Sequence, residues 1–109
     1  MLRITGHPLV PYTIMMADVQ VLPGDVVVMG SDGLFDNLPD DQILSEVQAQ
    51  LRAGRRPSMI AQHLTALAFN NSIDKHISTP YSMGATEAFN MVYSGGKQDD
   101  ITVIVAYMQ

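Results

Sequence analysis

Two short runs, Val26 to Met29 and Ile101 to Tyr107, constrain this chain most, because each is rich in β-branched residues and too short for a core helix. Asp25 and Gly30 bound the first run, which reads as a buried strand. The second reads as a strand buried on both faces. Each carries an acidic loop at one end. Ser31-Asp32-Gly33-Leu34-Phe35-Asp36-Asn37 follows the first, and Ser94-Gly95-Gly96-Lys97-Gln98-Asp99-Asp100 precedes the second. If the two strands are antiparallel neighbours, the end of one and the start of the other share a sheet edge, and the carboxylates converge. Clustered carboxylates repel unless a cation sits between them, and hard oxygen donors favour magnesium or manganese over zinc. Taken singly, an aspartate after a strand is a turn-former or a helix cap; the pairing of the loops is what points to a cation.

The remaining segments supply a hairpin and helices. Tyr12 to Leu22 is rich in Ile, Met and Val, and the turn signal Pro23-Gly24-Asp25 is expected to fold it back on Val26 to Met29 as a hairpin. A helix is expected from Asn37 or Leu38, with Pro39, Asp40 and Asp41 in its first turn, Ile43, Leu44, Val47 and Leu51 on its core face, and Gly54 as its stop. A second should begin at Pro57 with Met59, Ile60, Leu64, Leu67 and Ala68 on one face, ending or interrupted at Asn70-Asn71-Ser72. Thr79-Pro80 is an N-cap followed by a first-turn proline, opening a third helix to about Asn90. His63 lies among Ile60, Leu64 and Leu67, which suits a core or half-buried structural role.

Composition narrows the chemistry. The 109 residues suit one domain, and 47% of them are apolar, enough for a packed core. Six Lys plus Arg against eleven Asp plus Glu give a formal charge of −5, which argues against nucleic-acid binding. With no cysteine, disulfides, thiolate zinc sites and cysteine-nucleophile phosphatase chemistry are excluded. No apolar run has the length of a membrane span, and Met1 to Thr13 carries no basic presequence. The stretch from Asp32 is not an EF-hand, since Leu34 and Ile43 stand where oxygen ligands are needed, and Gly95-Gly96-Lys97 lacks the first glycine and the Ser or Thr of a P-loop.

Gly30-Ser31-Asp32-Gly33-Leu34-Phe35-Asp36-Asn37 and Gln98-Asp99-Asp100-Ile101-Thr102-Val103 together resemble two late motifs of the metal-dependent serine/threonine protein phosphatases of type 2C. His7-Pro8 through Tyr12, Thr79-Pro80-Tyr81 and Gly95-Gly96-Lys97 look most like the branch that includes mitochondrial and plastid members. The resemblance implies an α+β fold, a partial α-β-β-α sandwich of antiparallel sheets flanked by helices. It also implies hydrolysis of phosphoserine or phosphothreonine in a phosphoprotein substrate by water activated at a magnesium or manganese site. Carried over by position, Asp32 and Asp99 bind metal, Asp36 reaches a third, weaker metal or a metal-bound water, and Asp100 supports the loop.

The early motifs of the family, which supply the metal-bridging aspartate, a glycine carbonyl, a phosphate-binding arginine and a histidine acid, have no counterpart in these residues. No catalytic residue is therefore assigned. The chain is expected to be the C-terminal part of a catalytic domain whose partner is the missing N-terminal part, either through a truncated reading frame or as a fragment expressed by itself. The parent is expected to be intracellular, in a mitochondrion or plastid if the branch likeness holds. The alternative is a catalytically inactive metal-binding or interaction domain related to the phosphatases.

Overall fold

The structure, a computed structural model, describes residues 2–4, 11–13 and 21–109. In chain order its elements are β1 (Leu2–Ile4), β2 (Pro11–Thr13), β3 (Val26–Gly30), α1 (Asp32–Phe35), α2 (Asp40–Arg52), α3 (Pro57–Ser72), α4 (Pro80–Phe89) and β4 (Val103–Tyr107). The described strands form one antiparallel sheet in the order β2-β1-β3-β4. The fold is α+β, with one sheet of the implied sandwich and its helical cover present among the described residues.

β3 and β4 pair along their whole length, from Val26 opposite Tyr107 to Gly30 opposite Val103. Their helix-facing side chains, Val26, Val28 and Val105, join one core with Leu34, Leu38, Ile43, Val47, Ile60, Leu64 and Ala68. This is the period-2 face of a strand meeting the 3.6-period faces of α2 and α3. On the other side of the sheet Met29 is 46% exposed and Ile104 54% exposed. Among the described residues β4 is an edge strand with Ile104 exposed, so it lacks the expected burial on both faces, although Val27 on the same side of the sheet is buried.

The expected hairpin is also corrected. β3 pairs with β1 and β4, not with the strand that contains Tyr12; β2 pairs with β1 instead. Val21 and Leu22 are not in a strand, and residues 14–20 lie outside the described residues. His7 through Val10, part of the branch likeness, lie outside them too.

The helices start and stop where local chemistry asks. Pro39 caps α2 from outside, one residue before its first turn, so the helix begins at Asp40 rather than at Asn37 or Leu38. Asp40 and Asp41 still lie against the positive end of its dipole. Gly54, at φ +73, follows its last turn in the left-handed conformation that glycine adopts without a side-chain clash. α3 begins at Pro57 as expected, but Met59 is exposed and the buried face is Ile60, Leu64 and Ala68. Thr79 caps α4 with a reciprocal capping box to Ser82, and Asn90 ends it at φ 54. His63 is half-buried and ties α3 to α2 through a 2.6 Å contact between Nε2 and Glu46 Oε2. Among the described residues no helix is long and apolar enough to cross a membrane.

At the end of β4 the Tyr107 hydroxyl donates to the Arg55 carbonyl at 2.7 Å, and burial raises its pKa above the ordinary value near 10. A pKa raised in the folded state means that this contribution to stability is intact below the unfolded value and is lost as pH climbs through the folded value. Urea unfolding should therefore show a loss of stability above about pH 10 that is smaller in Tyr107→Phe. At neutral pH, Leu64→Ala should cost about 2–5 kcal/mol, and Ile104→Ala, on the uncovered face, less than about 1 kcal/mol.

Candidate metal centre

The register of β3 and β4 decides where the acidic loops fall. Beyond the last pair, Gly30 opposite Val103, the ladder continues by one residue: the Ser31 amide donates to the Thr102 carbonyl at 3.0 Å. The Ser31 side chain then closes the gap, its Oγ donating to the Asp100 carbonyl at 2.9 Å and accepting from the Thr102 amide at 3.0 Å. The chain turns at once into α1, with the Asp36 amide donating to the Asp32 carbonyl at 2.8 Å. This helical turn was not foreseen. At four residues it is too short to show a periodic pattern.

Gly33 sits where the two loops touch. A Cβ there would collide with the Asp100 backbone carbonyl and crowd Ile101, so only glycine lets α1 pack against the strand entrance. Asp32 thus begins a turn whose next residue contacts Asp100, and Asp99 lies one residue before that contact. Asp32, Asp99 and Asp100 are exposed, and Asp36 is half-buried. Asp99 Oδ1 accepts from the Asp100 amide at 2.8 Å, which shapes the loop locally. Asp100 enters the loop junction through its backbone carbonyl.

Asn37 is the residue that sequence reasoning missed. It is fully buried, and its Nδ2 donates to the Gly33 carbonyl at 2.8 Å and the Lys97 carbonyl at 2.9 Å. Its Oδ1 accepts from the Lys97 amide at 2.8 Å, and its own carbonyl accepts from Asn71 Nδ2 at 3.0 Å. One carboxamide therefore bonds both backbone groups of Lys97, as a strand partner would. The signal available in the sequence was a polar residue between the apolar Leu34-Phe35 and Leu38, where a core position carrying an amide needs partners.

The Gly95-Gly96-Lys97 segment is fixed from the other side. Thr79 Oγ1 donates to the Gly95 carbonyl at 2.8 Å, and Gly95 adopts φ +104. A Cβ on Gly96 would run into the Asn71 and Ser72 backbone. Lys97 Nζ then lies 3.7 Å from Asp36 Oδ2 and 5.5 Å from the centre of the Tyr81 ring, while the Tyr81 amide donates to the Asp36 carbonyl at 3.0 Å.

The donors at this end of the sheet are carboxylate oxygens, which fit magnesium or manganese in kind. The set is not complete within the chain. Among the described residues, no three Asp, Glu, His or Cys side chains converge closely enough to hold a metal ion.

The sequence model for protein phosphatase 2C matches residues 11–77, more than half of the chain. The chain belongs to the protein phosphatase 2C family. It is 47% identical over 90 residues to the Arabidopsis thaliana protein named probable protein phosphatase 2C 55, and 39% identical over 99 residues to probable protein phosphatase 2C 80 of the same plant. Those alignments cover 83% and 91% of this chain but 19% and 24% of the relatives, so the chain spans about a fifth to a quarter of their length. Rice probable protein phosphatase 2C 71 is 40% identical over 98 residues, which is 90% of this chain and 20% of that protein. Among solved structures, the X-ray structure of the photosystem II phosphatase PBCP superposes with a TM-score of 0.70 at 35% identity, covering 84% of this chain and 38% of that one. Protein phosphatases 2C are metal-dependent, and the family acts on phosphoproteins.

Asn37→Ala should lower stability by about 2–4 kcal/mol, because it strands the buried Gly33 carbonyl and removes both bonds to the Lys97 backbone. Hydrogen exchange should locate the damage: the Lys97 amide should lose protection while those of β3 keep theirs.

Proposed function

We propose that this chain supplies one side of a magnesium- or manganese-dependent phosphoserine/phosphothreonine phosphatase site, with Asp32 and Asp99 as its metal-binding carboxylates. The observation that carries the reading is the contact of the Asp32 turn with the Asp99-Asp100 loop, made through Ser31 and Gly33 at one end of the β3-β4 pair. A divalent cation, when bound, supplies Lewis acidity, which makes water a better nucleophile toward phosphorus and neutralises charge on phosphoryl oxygens.

The chain's own residues present and hold the carboxylates. Ser31 and Asn37 hold the two loops together at one end of the β3-β4 pair, and on this reading that spares Asp32 and Asp99 part of the ordering otherwise needed on each encounter with a cation. Ser31, Gly33 and Asn37 are positioning residues. In the family, the bridging carboxylate, the phosphate-binding arginine and the histidine acid come from early motifs that these residues do not include. The activity therefore belongs to the assembled domain. An organellar parent is proposed on the branch likeness of Thr79-Pro80-Tyr81 and Gly95-Gly96-Lys97 alone.

A second reading, an inactive interaction domain, draws on the lack of three convergent metal-binding side chains among the described residues. A graft separates the two. Residues 21–109 would replace the matching segment of probable protein phosphatase 2C 55, and manganese-dependent hydrolysis of a phosphopeptide would be measured. Activity is expected, with a loss of about 100-fold or more in Asp32→Asn and Asp99→Asn and only a few-fold in Asp100→Asn. A folded but inactive graft would favour the interaction domain, and equal losses at Asp99 and Asp100 would show that the wrong partner was chosen. The 109-residue chain alone should show no manganese-dependent turnover of para-nitrophenyl phosphate.

A further inference from the structure

Lys97 places an ammonium beside the Asp36 carboxylate. Its ion pair with Asp36 is partly exposed, with the lysine side chain 44% and the aspartate 34% accessible. Such a pair is usually worth little, because water screens it and two long side chains must be ordered to make it. Here other contacts fix the backbones on both sides of the pair. The buried Asn37 side chain bonds both the amide and the carbonyl of Lys97, and Asp36 directly precedes Asn37. The Tyr81 amide holds the Asp36 carbonyl, and the Tyr81 ring lies under the ammonium. The backbones that carry cation, anion and aromatic ring are thus held next to one another by the Asn37 side chain and the Tyr81 amide.

We propose that the Lys97 ammonium takes the place of a divalent cation at Asp36, so that metal binding at this end of the sheet is confined to Asp32 and Asp99. The proposal rests on the assignment of those two carboxylates. It changes the role carried over to Asp36, from ligand of a third metal to partner of a built-in cation. A divalent ion approaching Asp36 meets the repulsion of an ammonium 3.7 Å from the carboxylate, and swinging that ammonium aside forfeits its contacts with Asp36 and the Tyr81 ring.

The test uses the 109-residue chain with ¹³C-labelled aspartate side chains and magnesium, a diamagnetic probe. In the wild type, Asp32 and Asp99 carboxyl signals should move as magnesium is raised, while the Asp36 signal and the Lys97 ζ-ammonium signal stay in place. In Lys97→Met, Asp36 should begin to respond, with an apparent affinity tighter by about tenfold, and Lys97→Arg should behave as wild type. Equal response of Asp36 in wild type and Lys97→Met would overturn the proposal, as would an Asp36 that stays silent in a folded Lys97→Met. The ζ-ammonium signal needs no variant: its displacement by magnesium in the wild type would overturn the proposal even if Lys97→Met fails to fold. Silent Asp32 and Asp99, beside an Asp36 that responds only in Lys97→Met, would support the role of Lys97 while overturning the metal assignment itself.

Discussion

The antiparallel pairing of Val26–Gly30 with Val103–Tyr107 is the constraint on which the site depends. In such a pair the end of one strand and the start of the other necessarily share an edge, so the loops that follow Gly30 and precede Val103 are neighbours. A slip of one residue would turn Val28 and Val105 away from the helices and separate Ser31 from Thr102 and Asp100. The apolar face therefore fixes the register, and the register brings together the loops that carry Asp32 and Asp99. Burial of a few branched side chains thereby controls the position of charged ones that are themselves exposed.

Polar groups finish what the strands begin. Asn37, Thr79 and Ser82 are buried, and among the described residues no buried side-chain polar atom lacks a hydrogen-bond partner. Two of them link segments distant in sequence: Asn37 reaches Lys97, and Thr79, braced by Ser82, reaches Gly95. A buried amide with a missing partner costs more than a lost bond in water, so these residues tolerate few alternative loop arrangements. The glycines set the closest approaches, with Gly33 against Asp100 and Gly96 against Asn71. Specific loop geometry thus comes from satisfied polar groups and absent side chains, on a scaffold stabilised by apolar contact.

What could be read from the sequence was local. The Thr79-Pro80 cap, the Pro57 start and the Gly54 stop each follow from the conformational preference of one or two residues, and all three were legible. The existence of both core strands was legible from their β-branched runs. Their surroundings were not. An apolar run looks the same whether it is covered on both faces or, as at Ile104, has one face without described cover, and a Pro-Gly turn does not say which strand lies beside Val26–Gly30. At the site, the acidic residues and their shared edge were legible because the carboxylates stand beside recognisable strands. Asn37 and Lys97 were not, since a bond across 60 positions leaves no trace in spacing.

The central claim is that Asp32 and Asp99 face one another closely enough to share a cation. A crystal structure of residues 21–109 grafted into the full-length relative, with anomalous scattering collected for manganese, tests it most directly. The account predicts manganese density within bonding distance of carboxylate oxygens from both Asp32 and Asp99. Manganese bound in the grafted domain away from either carboxylate, or the two side chains pointing to different ends of the sheet, would contradict it.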